Sequence, residues 1–84
     1  MSKQDLEELE EVFTELTIFK GIDLYDGVLS EKIRKDPLVQ NTNLFKKIPY
    51  DVTTYLYYKL RNSTNPTDFT LRREFHFQDV ILKY

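Results

Sequence analysis

The sequence predicts an α+β domain in which two or three N-terminal helices pack on a small C-terminal antiparallel β-sheet. Three observations carry that expectation. Leucines and phenylalanines recur at helical spacing near the start, proline steps at 36–37 and 48–49 cut the middle into short pieces, and residues 69–84 alternate apolar and polar side chains as a half-buried strand does.

Residues 2–20 read as an amphipathic helix. Leu6, Leu9, Phe13 and Leu16 form its apolar stripe, widened by Val12 and Phe19, while Glu7, Glu8, Glu11 and Glu15 fill the opposite side. Ser2 can cap the start, Asp5 suits the positive end of the helix dipole, and Lys20 followed by Gly21 supplies a stop. Ile18 is the one apolar residue among the acids.

Residues 21–27 read as a connector whose Ile22, Leu24 and Tyr25 pack back on the core. A short helix follows, with Val28, Leu29 and Ile33 on one side, Ser30 or Asp26 as its cap, and an end at Asp36, because the residue before proline is pushed out of the α region. Residues 38–48 fit either a turn of helix capped by Asn41 and holding Leu44 and Phe45, or a packed loop.

Residues 51–61 satisfy two patterns. As a strand, Val52, Thr54, Leu56, Tyr58 and Leu60 share a face; as a helix, Asp51 caps the start after Pro49, and Val52, Tyr55, Leu56 and Leu60 follow the helical period. The capping signal tips the reading to helix. Residues 62–68 read as a flexible loop. Beyond it, Phe69, Leu71, Arg73, Phe75 and Phe77 alternate with Thr70, Arg72, Glu74 and His76, and Val80, Leu82 and Tyr84 continue the period after Gln78 and Asp79, which predicts two antiparallel strands.

Eighty-four residues make one small domain, residues 1–84, with a limited core. There is no cysteine, so neither a disulfide nor a thiolate zinc site can staple it. No basic start followed by an apolar stretch marks the first 20 residues, and no apolar run is long enough to span a bilayer. The expectation is a soluble, intracellular protein of cytoplasm or nucleus with no membrane contact. The Asn62-Ser63-Thr64 triplet matches the glycosylation acceptor pattern and is read as chance.

Catalysis lacks parts. His76 is the lone histidine, with Glu74 and Asp79 near it in sequence, and reads as a surface residue on a strand rather than a general base. The carboxylates of the first helix form a solvated face rather than a metal site, and the two glycines make no phosphate-binding loop. The expectation is a protein with no enzymatic activity, no cofactor, no metal and no small-molecule substrate.

Charge is the most uneven property of the chain. Residues 1–26 carry eight acidic against two basic side chains, residues 27–50 five basic against two acidic, and the whole sums to −2. Opposed fields steer encounters and fix register, so they suit docking to a partner. Tyrosine, present six times, combines apolar area with a polar tip and is favoured at interfaces. The sequence therefore points to a non-catalytic protein-binding module, a small subunit, adaptor or inhibitor that meets a larger partner or a second copy of itself. Candidate contact residues are Glu8, Glu11 and Glu15, the basic Lys32, Arg34, Lys35, Lys46 and Lys47, and Tyr55, Tyr57 and Tyr58.

A second reading is nucleic-acid binding through Lys32, Arg34, Lys35, Lys46, Lys47, Arg72 and Arg73. The predicted order of helices followed by two strands is that of a winged helix, in which a recognition helix enters the major groove. The pI near 5.3 and the acidic first helix stand against it. A third reading makes that acidic helix a mimic of nucleic acid.

Overall fold

The computed structural model describes residues 3–16, 26–64 and 68–83, and among these there are helices and turns but no strand. The element order is α1 (Lys3–Leu16), α2 (Asp26–Lys35), α3 (Pro37–Gln40), α4 (Asn43–Lys47), α5 (Pro49–Thr64) and α6 (Asp68–Leu82). The expected α+β architecture is thus overturned by an all-helical one. The winged-helix order falls with it, because that arrangement needs the strands.

The correction concentrates in α6. Thr70 and Ile81 are buried, and Glu74 and Phe77 half-buried, at spacings of four, three and four that place them on one helical face. The alternating pattern put Phe69, Leu71, Phe75 and Phe77 together, yet Phe69 and Phe75 are 54% and 59% exposed. Two physical facts decide against a hairpin. Residues 68–83 hold neither glycine nor proline to turn the chain, and Leu, Arg, Glu and Gln favour helix.

The middle of the chain is punctuated as its prolines suggest. α2 ends at Lys35, and Asp36 is extended (φ −69°, ψ 126°), its side chain accepting from the Leu38 N–H at 2.9 Å to cap α3, whose first residue is Pro37. The cap of α4 is Thr42 rather than Asn41: its Oγ1 accepts from the Phe45 N–H at 3.2 Å, while Asn41 closes α3. Residues 51–61 are helical. α5 opens at Pro49, earlier than a cap at Asp51 allows, and runs through Asn62 and Ser63 to Thr64, shortening the expected loop. The expected cap at Ser2, the stop at Lys20 and Gly21, Ile18, Phe19 and residues 21–25 of the connector lie outside the described residues, while Asp26 and Gly27, also expected in that connector, already belong to α2.

α5 is the central element. It pairs with α6 as an antiparallel hairpin in which Lys59 meets Glu74 and Tyr58 meets Phe77, and α1, α2 and α4 pack on its remaining sides. The core joins Leu9, Val12 and Leu16 of α1, Ile33, Val39 and Leu44 of the short helices, Val52, Tyr55, Leu56, Tyr57 and Leu60 of α5, and Ile81 of α6. Of the apolar stripe expected of the first helix, Leu9, Val12 and Leu16 are buried and Leu6 and Phe13 half-buried against the core. Val28 is the exception on α2, since it remains exposed while Ile33 is covered.

Candidate functional site

Once residues 49–64 are helical, the spacing within α5 sorts them into two stripes. Val52, Tyr55, Leu56 and Leu60 face the core, whereas Tyr50, Thr53, Thr54, Tyr57 and Tyr58 recur at three- and four-residue intervals on another side, with Thr53 and Tyr57 buried at its edge with the core, Thr54 and Tyr58 half-buried and Tyr50 exposed. α2 crosses beside this second stripe without covering it. The result is a cleft of about 630 Å³, open along one side, lined by Ser30, Glu31 and Arg34 of α2 and by Pro49, Tyr50, Thr53, Thr54, Tyr57 and Tyr58 of α5.

The floor of the cleft is fixed by internal contacts. Tyr57 and Tyr58 meet edge to face at 5.1 Å, Tyr58 stacks on Phe77 of α6 at 5.9 Å, and the Tyr57 hydroxyl accepts from Arg61 Nη1 at 2.9 Å. The Thr53 and Thr54 hydroxyls donate to the Pro49 and Tyr50 carbonyls, at 2.8 and 2.9 Å, and so commit their protons to the helix itself. Tyr50 stands at the rim, 76% exposed. A rigid aromatic floor with one exposed tyrosine at its edge needs little ordering when a ligand arrives.

Charge at the cleft is asymmetric. Lys35 Nζ lies 2.8 Å from Glu31 Oε1, and this hydrogen bond, with the lysine's charge and then that of Arg34, holds the Glu31 carboxyl below its usual range. Arg34 Nη2 is 4.0 Å from the same oxygen, beyond hydrogen-bond reach, so the guanidinium is only loosely paired. The carboxylate at the cleft is therefore engaged and the arginine is available.

The predicted contact residues divide among several surroundings. Arg34, Tyr57 and Tyr58 line the cleft, Lys46 and Lys47 end α4 just ahead of Pro49, and Lys32 and Lys35 are exposed on α2. Tyr55 is not a surface residue. It is 1% exposed in the core, and burial, followed by the charges of Glu74 and Glu10, pushes its hydroxyl up to about 12. Lys59 Nζ lies 5.7 Å from its ring, 5.0 Å from that of Phe13 and 3.7 Å from Glu74 Oε1, while Asn62 Nδ2 donates to Glu74 Oε2 at 3.1 Å. Asn62 Oδ1 is buried without a hydrogen-bond partner.

On α1, Glu11 and Glu15 are exposed, and Glu7, Glu10, Glu11 and Thr14 edge a shallow depression. Glu8 instead serves the fold, because its Oε1 accepts from the Asn43 N–H at 2.8 Å and so satisfies an orphan donor at the start of α4. Arg72 and Arg73 lie on α6, where Arg73 sits over the Phe69 ring at 5.1 Å, whereas the other five basic candidates lie on α2 and α4. His76 is exposed on α6, edge-on to Phe77 at 5.3 Å. Among the described residues, no three His, Asp or Glu side chains come together as a metal would require, and no helix is long and apolar enough to cross a membrane.

Sequence reasoning missed Tyr50, Thr53, Thr54 and Ser30. The signal was present in the recurrence of Tyr50, Thr53, Thr54 and Tyr57, but it emerges only when the helix begins at Pro49. Compared with protein-family models, curated proteins and solved structures, the chain matches none.

Proposed function

We propose that this protein is a non-catalytic protein-binding module that takes an extended segment of a larger partner into the cleft between α2 and α5. The observation that supports this reading is the set of three tyrosines, Tyr50, Tyr57 and Tyr58, gathered beside a loosely paired arginine. Tyrosine buries a large area at low entropic cost and keeps a hydroxyl for the partner's backbone, which is why it recurs in protein-binding sites. A cleft open along one side suits a chain that enters and leaves it, more than a compact molecule needing enclosure on most of its surface. Polyanion binding fits less well, because Glu7, Glu10, Glu11 and Glu15 present a strongly acidic face elsewhere on so small a molecule, and Arg72 and Arg73 sit on a different helix from the other cations.

The test is selection from a display library of random peptides against the folded protein, with Tyr50→Ala as the counter-target. Tyr50 is so exposed that its truncation leaves the fold intact, a point checked by circular dichroism. Enrichment of peptides that bind the wild type and not Tyr50→Ala is the expected result. A library that yields no Tyr50-dependent binder overturns the proposal, and so does Tyr50-dependent binding of a single-stranded oligonucleotide that collapses between about 50 and 200 mM salt.

A further inference from the structure

The chemistry of the cleft specifies what kind of segment it takes. We infer that the ligand is a proline-containing stretch in polyproline II conformation with an acidic residue beside Arg34, an inference that rests on the cleft being a protein-binding site.

Three properties lead to it. The first is shape. The α5 side of the cleft runs from Pro49 to Tyr58, a rise of about 13 Å along a helix. An extended polyproline II segment advances about 3.1 Å per residue, so about four residues cover it. The surfaces on offer along that length are the exposed Pro49 and Tyr50 rings and the half-buried Tyr58 ring, with Thr54 between them, and pyrrolidine rings pack on such faces without losing side-chain freedom of their own.

The second is hydrogen bonding. A polyproline II segment makes no internal hydrogen bonds, and its prolines lack N–H groups, so it brings carbonyl acceptors in excess of donors. The cleft can supply those donors. Its carboxylate, Glu31, is taken by Lys35 at 2.8 Å, while Arg34, Ser30 and the Tyr50 hydroxyl stand along the walls as donors. A β-strand or a helix brings a different demand, the strand a full row of N–H groups and the helix none of its backbone at all.

The third is charge. Arg34 lies 4.0 Å from Glu31 and makes no shorter ion pair among the described residues, and Lys46 and Lys47 are exposed on the turn that leads into Pro49. Together with Lys32 and Lys35 they outnumber Asp26, Glu31 and Asp36 along α2 to α4. A carboxylate on the ligand accepts from a planar guanidinium that donates in a bidentate fork, and the surrounding lysines speed its arrival.

The experiment uses three labelled synthetic peptides titrated into the whole chain by fluorescence anisotropy: one with a Pro-X-X-Pro core flanked by glutamates, one with lysines for the glutamates, and one with alanines for the prolines. The glutamate-proline peptide is expected to bind at least about tenfold more tightly than either relative, the loss expected when a central anchor is truncated. Tyr50→Ala should remove most of that binding, and Arg34→Glu should abolish the preference for glutamate over lysine. Both positions are exposed enough for the variants to fold, which circular dichroism verifies. Equal binding of the alanine peptide, or of the lysine peptide, overturns the assigned ligand class. If that equal binding still vanishes in Tyr50→Ala, the class is wrong while the cleft remains a protein-binding site. If none of the three binds, the class is overturned, and the random library decides separately whether the cleft binds protein segments at all.

Discussion

Tyr55 and Tyr50 sit five residues apart on the same helix and meet opposite fates. One is 1% exposed among Phe13, Lys59 and the core leucines; the other is 76% exposed at the rim of the cleft. Residue type does not distinguish them, but register does. Positions 52, 55, 56 and 60 turn toward the core, and positions 50, 53, 54 and 57 line the cleft beside α2, buried at 53 and 57 and exposed at 50. The glutamates of α1 repeat the lesson. Glu8 reaches the start of α4 while Glu11, less than one turn on, faces solvent.

Truncating one residue from each stripe should give the largest difference. Leu56 is fully buried, so Leu56→Ala should cost about 2–5 kcal/mol, the sum of lost transfer energy and a cavity that only partly collapses. Tyr50→Ala should stay within about 0.5 kcal/mol of wild type, since most of that side chain already faces water. Urea unfolding monitored by circular dichroism gives both numbers from the shift in midpoint at constant slope. Similar losses in the two variants would mean that the two stripes are not distinct.

The helical half of this partition was legible in the sequence and the rest was not. Leu6, Leu9, Phe13 and Leu16 have one consistent periodicity and charges on the other face, so the first helix is read correctly, and Asp36 with Pro37 marks a boundary through backbone sterics alone. The C-terminal segment failed because a run such as Phe69, Leu71, Phe75 and Phe77 satisfies a period of two, while the residues that pack, Thr70, Glu74, Phe77 and Ile81, include two polar ones. A polar buried residue is invisible to a hydrophobic pattern. Glu74 is tolerated inside because Lys59 and Asn62 approach it from α5, a pairing that exists only after the hairpin forms. The cleft was half legible. Arg34, Tyr57 and Tyr58 could be picked out by type, but assigning Tyr55 to the same surface required ignoring register, and finding Tyr50 required knowing where α5 begins.

The burial of Tyr55 also makes stability depend on pH. Its hydroxyl titrates near 10 in an unfolded chain and is pushed up to about 12 in the folded protein, by burial first and then by the negative charges of Glu74 and Glu10. Between these values the unfolded chain releases a proton that the folded one keeps. Stability from this group is therefore fully present below about pH 10 and is lost as pH rises toward 12, with a total on the order of 2 kcal/mol. Tyr55→Phe has no proton to lose there. Unfolding free energies measured from pH 8 to 12 should fall more steeply for wild type than for Tyr55→Phe, with lysines and the other tyrosines acting in both proteins. Parallel curves would place Tyr55 in a far wetter setting than the core.

The smallest expected difference separates the two glutamates of α1. Glu8 accepts from the Asn43 N–H at 2.8 Å, and with Thr42, whose hydroxyl takes the Phe45 N–H, it satisfies two of the donors at the start of α4. A helix of five residues has no stability of its own, so its two ends and its packing hold it in place. Removing such an acceptor costs about 1 kcal/mol, whereas Glu11, exposed on the same helix, should cost almost nothing. Glu8→Gln keeps an oxygen in reach and loses only the charge, so it should fall between Glu8→Ala and wild type. The order of midpoints in urea would then be Glu11→Ala near wild type, Glu8→Gln lower and Glu8→Ala lowest. Equal midpoints for Glu8→Ala and Glu11→Ala would return Glu8 to the solvated acidic face, where it would again be free to meet a partner.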